Sequence, residues 1–202
     1  MRSTDKRVVA AAIKLLGEKG TLDLTMSELA AEAQVARGTL YRNIESIERL
    51  YEDVVQELTT ELHLRIAVAL DNHGDDDPAA RLAVALRMFV RMAHENPSMG
   101  KFIVRFGLTD EALRGILSGP PMKDVAAGKA AHRYVLEGVP DVSVASLMIG
   151  VAVSAIWMVL EGHQGWREAG SSAAELQLRA LGVDPEQARR IATAELPPLP
   201  EN

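Results

Sequence analysis

The 202-residue chain contains no cysteine, an absence that removes disulfide scaffolds, thiol nucleophiles and cysteine zinc sites together. Aromatic residues are scarce at 4%, and alanine dominates many stretches, a balance that favours helices over sheets. Asn-Gly and Asp-Gly hairpin turns are missing, as is sustained polar–apolar alternation. The opening Met-Arg-Ser-Thr-Asp-Lys-Arg carries no apolar run of the kind a secretory signal needs. The Asn96-Pro97-Ser98 triplet is barred from glycosylation by its proline. A cytoplasmic protein is expected.

Catalytic signatures are lacking too. The histidines at 63, 73, 94, 132 and 163 are dispersed, with neither a His-Glu-x-x-His motif nor a two-His one-carboxylate spacing. No phosphate-binding Gly-rich loop, dinucleotide fingerprint or Gly-x-Ser-x-Gly elbow is present. Asp75, Asp76 and Asp77 run into Pro78 without a bidentate glutamate downstream, so they read as a solvated turn rather than a calcium loop. No catalytic constellation, metal site or cofactor is expected.

What the chain does contain is helical periodicity from end to end. Residues 4–19 place Val8, Val9, Ala12, Ile13, Leu15 and Leu16 at three- and four-residue spacings, and Gly20 supplies a stop. Thr25-x-x-Glu28 is a capping box that opens a helix over 26–33, with Leu29 and Ala30 inward. A short break at 34–36 leads to a third helix over 37–43 that buries Leu40. A long fourth helix follows, its stripe running from Ile47 through Leu50, Val54, Leu58, Leu62 and Ile66 to Leu70. Asp77 and Pro78 then form an N-cap and first turn. Further helices are predicted from there to residue 95, over 99–106, from 110 to 118, over 122–136 and through 142–160. Ser172-x-x-Glu175 is expected to cap a short helix ending at Gly182, and Asp184-Pro185-Glu186-Gln187 to open the last one, with Gln187 reaching back. The tail, 196–200, reads as extended. The chain is therefore expected to be all-α.

The chemistry concentrates in the first fifty residues. Helix, tight turn and second helix over 25–43 have the proportions of a helix-turn-helix. The second helix of such a pair fits a major groove about 12 Å wide. Arg37, Thr39 and Arg42 offer hydrogen-bonding groups to bases or phosphates, Gly38 lets a backbone come close, and Tyr41 offers a hydroxyl to phosphate.

Residues 6–55 resemble the DNA-binding domain of the TetR family of bacterial transcriptional repressors. The matching stretches run from Val8 to Gly20, from Thr25 to Ala30 and from Val35 to Arg42. The resemblance covers about a quarter of the chain strongly. It implies a recognition helix over 37–42 and, at Thr25, a helix N-terminus facing the phosphate backbone. Four positions depart from the family pattern. Gln34 replaces the usual turn glycine, Ala36 the serine cap, Asn43-Ile44 a His-Phe pair, and Ile47 a phosphate-binding lysine. The last should shallow the salt dependence by about one counterion.

Residues 1–46 are thus read as the DNA-binding domain and 47–202 as a helical effector-binding and dimerisation domain. The stretch 142–160 holds no charged residue and reaches the minimum length for a membrane span. Its serines, and flanks of Asp141 and Glu161, favour instead a helix buried in the core and across a dimer interface. The resemblance implies that the late helices of two subunits form that interface, and that a small, mainly apolar effector binds between the C-terminal helices. Phe89, Met92, Met99, Phe102, Phe106, Met122, Trp157 and Met158 are the candidate cavity residues, with Arg105, His132, Tyr134, Ser154 and His163 as polar groups to orient a ligand.

A ligand-responsive homodimeric repressor of a near-palindromic operator is the expectation. The alternatives are a helical ligand-binding or interaction module with little specific DNA binding, and an all-α enzyme. The net charge of −6 divides unevenly. Residues 1–50 hold eight Lys+Arg and seven Asp+Glu (+1), and residues 51–202 hold fourteen and twenty-one (−7). The acidity belongs to the part that would face away from DNA.

Overall fold

A computed structural model describes residues 5–73 and 76–198. Gly74 and Asp75 of the acidic turn, Thr4 of the first predicted helix, and Leu199 and Pro200 of the tail lie outside the described residues. Among those described, eleven α-helices and no strand are present: α1 Asp5–Lys19, α2 Met26–Ala33, α3 Arg37–Asn43, α4 Ile47–His73, α5 Pro78–Glu95, α6 Pro97–Phe106, α7 Asp110–Ser118, α8 Pro120–Ala130, α9 Asp141–Leu160, α10 Trp166–Ala180 and α11 Pro185–Thr193.

The first three helices form around one small core. Val8, Val9, Ala12 and Leu16 of α1 are buried with Leu29, Ala30 and Ala33 of α2 and Leu40 of α3. The Thr25 hydroxyl accepts from the Glu28 amide (3.2 Å), and the Thr25 amide donates to the Glu28 carboxylate (2.8 Å), a reciprocal capping box. Lys19 clamps the same carboxylate at 2.7 Å, which ties the end of α1 to the start of α2. These donors hold the Glu28 carboxyl down at about 2, Lys19 first and the Thr25 amide and hydroxyl next. At the turn, Gln34 takes the left-handed conformation (φ 54°, ψ 46°). Ala36 makes no side-chain cap on α3.

Three departures from the sequence expectations have local causes. The helix expected over 122–136 runs from Pro120 to Ala130. Both prolines fit its first turn, where no amide hydrogen is required. It ends because His132 turns left-handed (φ 53°) and the Arg133 amide closes back on the Gly128 carbonyl at 2.8 Å. Tyr134 then folds against Gly128, where any β-carbon would overlap its ring, and the Val135 amide reaches Leu181 (2.9 Å). Second, Ser171 and Ser172 lie in the interior of α10 and cap nothing. That helix starts at Trp166, whose ring lies under the guanidinium groups of Arg167 (4.3 Å) and Arg91 of α5 (5.4 Å). Ala169, Gly170, Ala173 and Ala174 then bring α10 close along α5, and this packing decides the helix start over local capping propensity. Third, Gln187 does not reach back. Its side chain accepts from Arg133 (3.2 Å), which also grips the α5 N-cap Asp77 through two hydrogen bonds of 2.6 and 3.1 Å.

α9 passes the length and composition test for a membrane span, and a third of that stretch is buried inside the chain. Val144, Ala145, Met148, Ile149, Ala155 and Ile156 pack inward against α5, α6, α7 and α10. Ser143, Ser146, Leu147, Ser154 and Trp157 are exposed along its other side.

The strained turn makes a stability prediction. A left-handed conformation costs a non-glycine residue roughly 1 kcal/mol, so Gln34→Gly should raise the thermal midpoint by roughly 2–4 °C in a melt followed by circular dichroism. An unchanged or lower midpoint would show that this turn is not strained.

Candidate DNA interface and ligand cavity

Cation pairing divides the head into two groups. Lys14 pairs with Glu32, Lys19 with Glu28, and Arg49 with Glu52 and Asp53. Among the described residues of 5–50, Lys6, Arg7, Arg37 and Arg42 are the cations in no ion pair, and all four are exposed. Arg42 lies along its own helix, donating to the Gly38 carbonyl (3.1 Å). Tyr41 is 65% exposed, far more than its ring would be if it served the core. A β-carbon added at Gly38 would meet nothing within 4 Å, so no contact inside the fold requires glycine there. Thr25 is exposed at the α2 N-terminus, its hydroxyl already held by Glu28 (2.8 Å). Ile47, where a lysine was expected on the family pattern, packs partly buried against the core. The sequence reading passed over Lys6 and Arg7; only the paired state of the neighbouring cations distinguishes them.

The second site is a partly open cavity of about 170 Å³ lined by α4 to α10. Its α4 wall carries Leu58, Thr59, Leu62, His63 and Ile66. Leu82, Leu86 and Phe89 come from α5, Phe102, Ile103 and Phe106 from α6, and Met148, Ile149 and Val153 from α9. Thus Phe89, Phe102 and Phe106 line the cavity. Met92 and Met99 are buried in the core, Met122 and Met158 are half-buried and Trp157 is 43% exposed; these five do not line it. Nor do Arg105, His132, Tyr134, Ser154 or His163. The polar lining is Thr59, His63 and Gln177 instead, and Gln177 is 98% buried (2% exposed). The i,i+4 spacing of Thr59 and His63 on the α4 stripe was the available signal for two of them.

α6 has two working faces. Phe102, Ile103 and Phe106 face the cavity. Phe102 and Phe106 also meet the Tyr51 ring of α4 in tilted contacts, at 6.1 and 5.2 Å between centroids. On its other side α6 lies against α1 so closely that a β-carbon at Gly17 would sit 2.8 Å from the Phe102 amide nitrogen and 3.2 Å from the Ser98 carbonyl. Cavity and head therefore touch the same ten-residue helix.

His63 is the one ionisable residue lining the cavity, and burial lowers its pKa below the usual 6.5. As pH falls, the unfolded chain takes up this proton before the folded one does. Stability from this group is therefore full above about 6.5 and declines below it. A thermal midpoint that falls between about pH 7 and 5, with the fall reduced in His63→Gln, is expected; an unchanged profile in the variant would remove His63 from the account.

Comparisons with known proteins cover both parts of the chain. Residues 8–54 match the family model of bacterial regulatory proteins of the tetR family, and residues 77–194 that of the tetracyclin repressor-like C-terminal domain. An uncharacterized HTH-type transcriptional regulator of Mycobacterium tuberculosis is 30% identical over 125 residues, 62% of this chain and 58% of that protein. The chain thus spans less than two thirds of the length of that relative. The crystal structure of RolR without ligand is 26% identical with a TM-score of 0.73, covering 96% of this chain and 99% of that one. RolR in complex with resorcinol is 25% identical with a TM-score of 0.69, covering 98% and 95%.

Proposed function

Because the chain belongs to the tetR family of bacterial regulatory proteins, we propose that it is a DNA-binding transcriptional repressor, homodimeric and released from its operator by a small, mainly apolar molecule. The observation that carries this is the α3 face: two unpaired arginines flank a glycine that the fold itself does not need. Arg37, Gly38, Thr39, Tyr41 and Arg42 enter a major groove, with the α2 N-terminus at Thr25 and the exposed Lys6 and Arg7 toward the phosphates. A second copy packs on the uncovered side of α9, so that two α3 helices meet successive grooves of a near-palindromic operator, about 34–36 Å apart or a multiple of it. Residues 1–46 form the reading head and 47–202 the sensor. The protein acts in the cytoplasm by binding, without turnover.

The effector occupies the cavity, as resorcinol is bound to the related RolR. Coupling needs an effector that favours one arrangement of the head over another. α6 supplies the link, because its cavity face and its α1 face are two sides of one rigid helix. α4 supplies a second link through Tyr51. The rival is a sensor with little operator affinity. Ile47, packed into the core where a phosphate-binding lysine would stand, and the uncapped Ala36 favour it.

A mobility shift with DNA flanking the protein's own gene separates the two. Arg37→Ala and Arg42→Ala should each weaken the complex by about 1–3 kcal/mol while sedimentation and helix content stay unchanged. Gly38→Ala should weaken it too, yet stabilise the free protein by about 0.5–1 kcal/mol. A dimer that forms no sequence-selective complex at low salt would establish the rival.

The coupling route has its own test. Gly17→Ala should force α1 and α6 apart, destabilising the fold by about 1–3 kcal/mol and shrinking the change in operator affinity on adding effector. A full effector response in a destabilised Gly17→Ala protein would assign the coupling to α4 alone.

A further inference from the structure

We propose that the cavity selects a neutral effector about the size of one substituted ring, whose hydroxyl or similar groups hydrogen-bond to Thr59 and His63 of α4 and to Gln177 of α10; the inference rests on the effector reading above. Size comes first. An engineered apolar cavity of about 150 Å³ holds benzene, and this one measures about 170 Å³. Charge comes second. Among the described residues no Lys, Arg, Asp or Glu lines the cavity, so an ionised carboxylate entering it would lose its water without gaining a counter-ion. His63 does not supply one near neutral pH, since burial favours its uncharged form.

Polarity comes third. A neutral imidazole presents one donor and one acceptor, a threonine hydroxyl either, and a glutamine amide both. A hydrocarbon ligand would cover these groups without replacing their hydrogen bonds, which disfavours it against a hydroxylated ring of the same shape. α7 fixes the α4 pair in place. A β-carbon at Gly119 would come 2.8 Å from His63 Cε1, and one at Gly115 3.4 Å from Thr59 Cγ2. Gly119 lets the end of α7 close on His63, while Gly115 stands in ordinary contact with Thr59.

Calorimetry and thermal shift on the full-length dimer at pH 7.5 test this with phenol and resorcinol against toluene, benzoate and hexanoate. The hydroxylated rings should bind about tenfold tighter than toluene and tighter still than either carboxylate, and they should raise the thermal midpoint. His63→Leu and Gln177→Leu should each reduce the preference of phenol over toluene while toluene still binds, which shows the cavity intact. Equal binding of benzoate or hexanoate overturns the inference. So does a phenol preference that survives both variants, or no binding by either hydroxylated ring. A mobility shift on the same preparation tells the two failures apart. An operator complex without phenol binding defeats this inference alone, and phenol binding without an operator complex supports it while defeating the repressor reading.

Discussion

Gly17 lets the backbone of α1 ride directly on that of α6, with a β-carbon's room of only 2.8 Å to the Phe102 amide. That contact sets the position of the whole N-terminal head. α1 carries α2 and α3 through a shared core of Leu16, Leu29 and Leu40. α6 carries the aromatic wall of the cavity, and Phe102 belongs to both surroundings. Packed interiors transmit displacement because they have no slack to absorb it. A ligand that shifts Phe102 or Phe106 therefore acts on a helix to which the head is locked, and the long α4 stripe is not alone in bearing that load.

The charge pattern has the same economy. A head with a surplus of one positive charge would seem a weak partner for DNA. In the fold Lys14, Lys19 and Arg49 are taken up by Glu32, Glu28 and the α4 carboxylates Glu52 and Asp53, leaving Arg37 and Arg42 unpaired on α3 and Lys6 and Arg7 on α1. The price is local: Ala36 leaves α3 without a side-chain cap, and Gln34 holds a conformation that glycine adopts more easily.

Within the sensor, glycines and alanines decide how near the helices come. Gly115 and Gly119 bring α7 onto the polar pair of α4, and Gly170 with its alanine neighbours brings α10 onto α5. The second approach places Gln177, a buried amide, among apolar walls. The described lining of the cavity is thus apolar with three polar groups and no formal charge near neutral pH.

Local signals in the chain were enough for the all-α class, the bounds of α2 and α3, the Thr25–Glu28 capping box and the Asp77–Pro78 start of α5, because each follows from contacts within a few residues. Phe89, Phe102 and Phe106 were cavity candidates through the family resemblance, which offered Met92, Met99, Met122, Trp157 and Met158 equally, and helical spacing by itself did not separate the two sets. Gln177 was not legible, because α4 and α10 are far apart in sequence, and Thr59 and His63 offered only their shared side of α4, which says nothing of what packs against it. The true ends of α8 and α10 also lay beyond local reach: Tyr134 docking on Gly128 stops one, and Trp166 between two arginines starts the other. Sequence by itself determined the helices and the chemistry of the α3 face. Tertiary structure alone decided which cations stay unpaired, which polar groups share a cavity, and that α6 joins that cavity to the head, since each depends on distances that close only when remote helices pack.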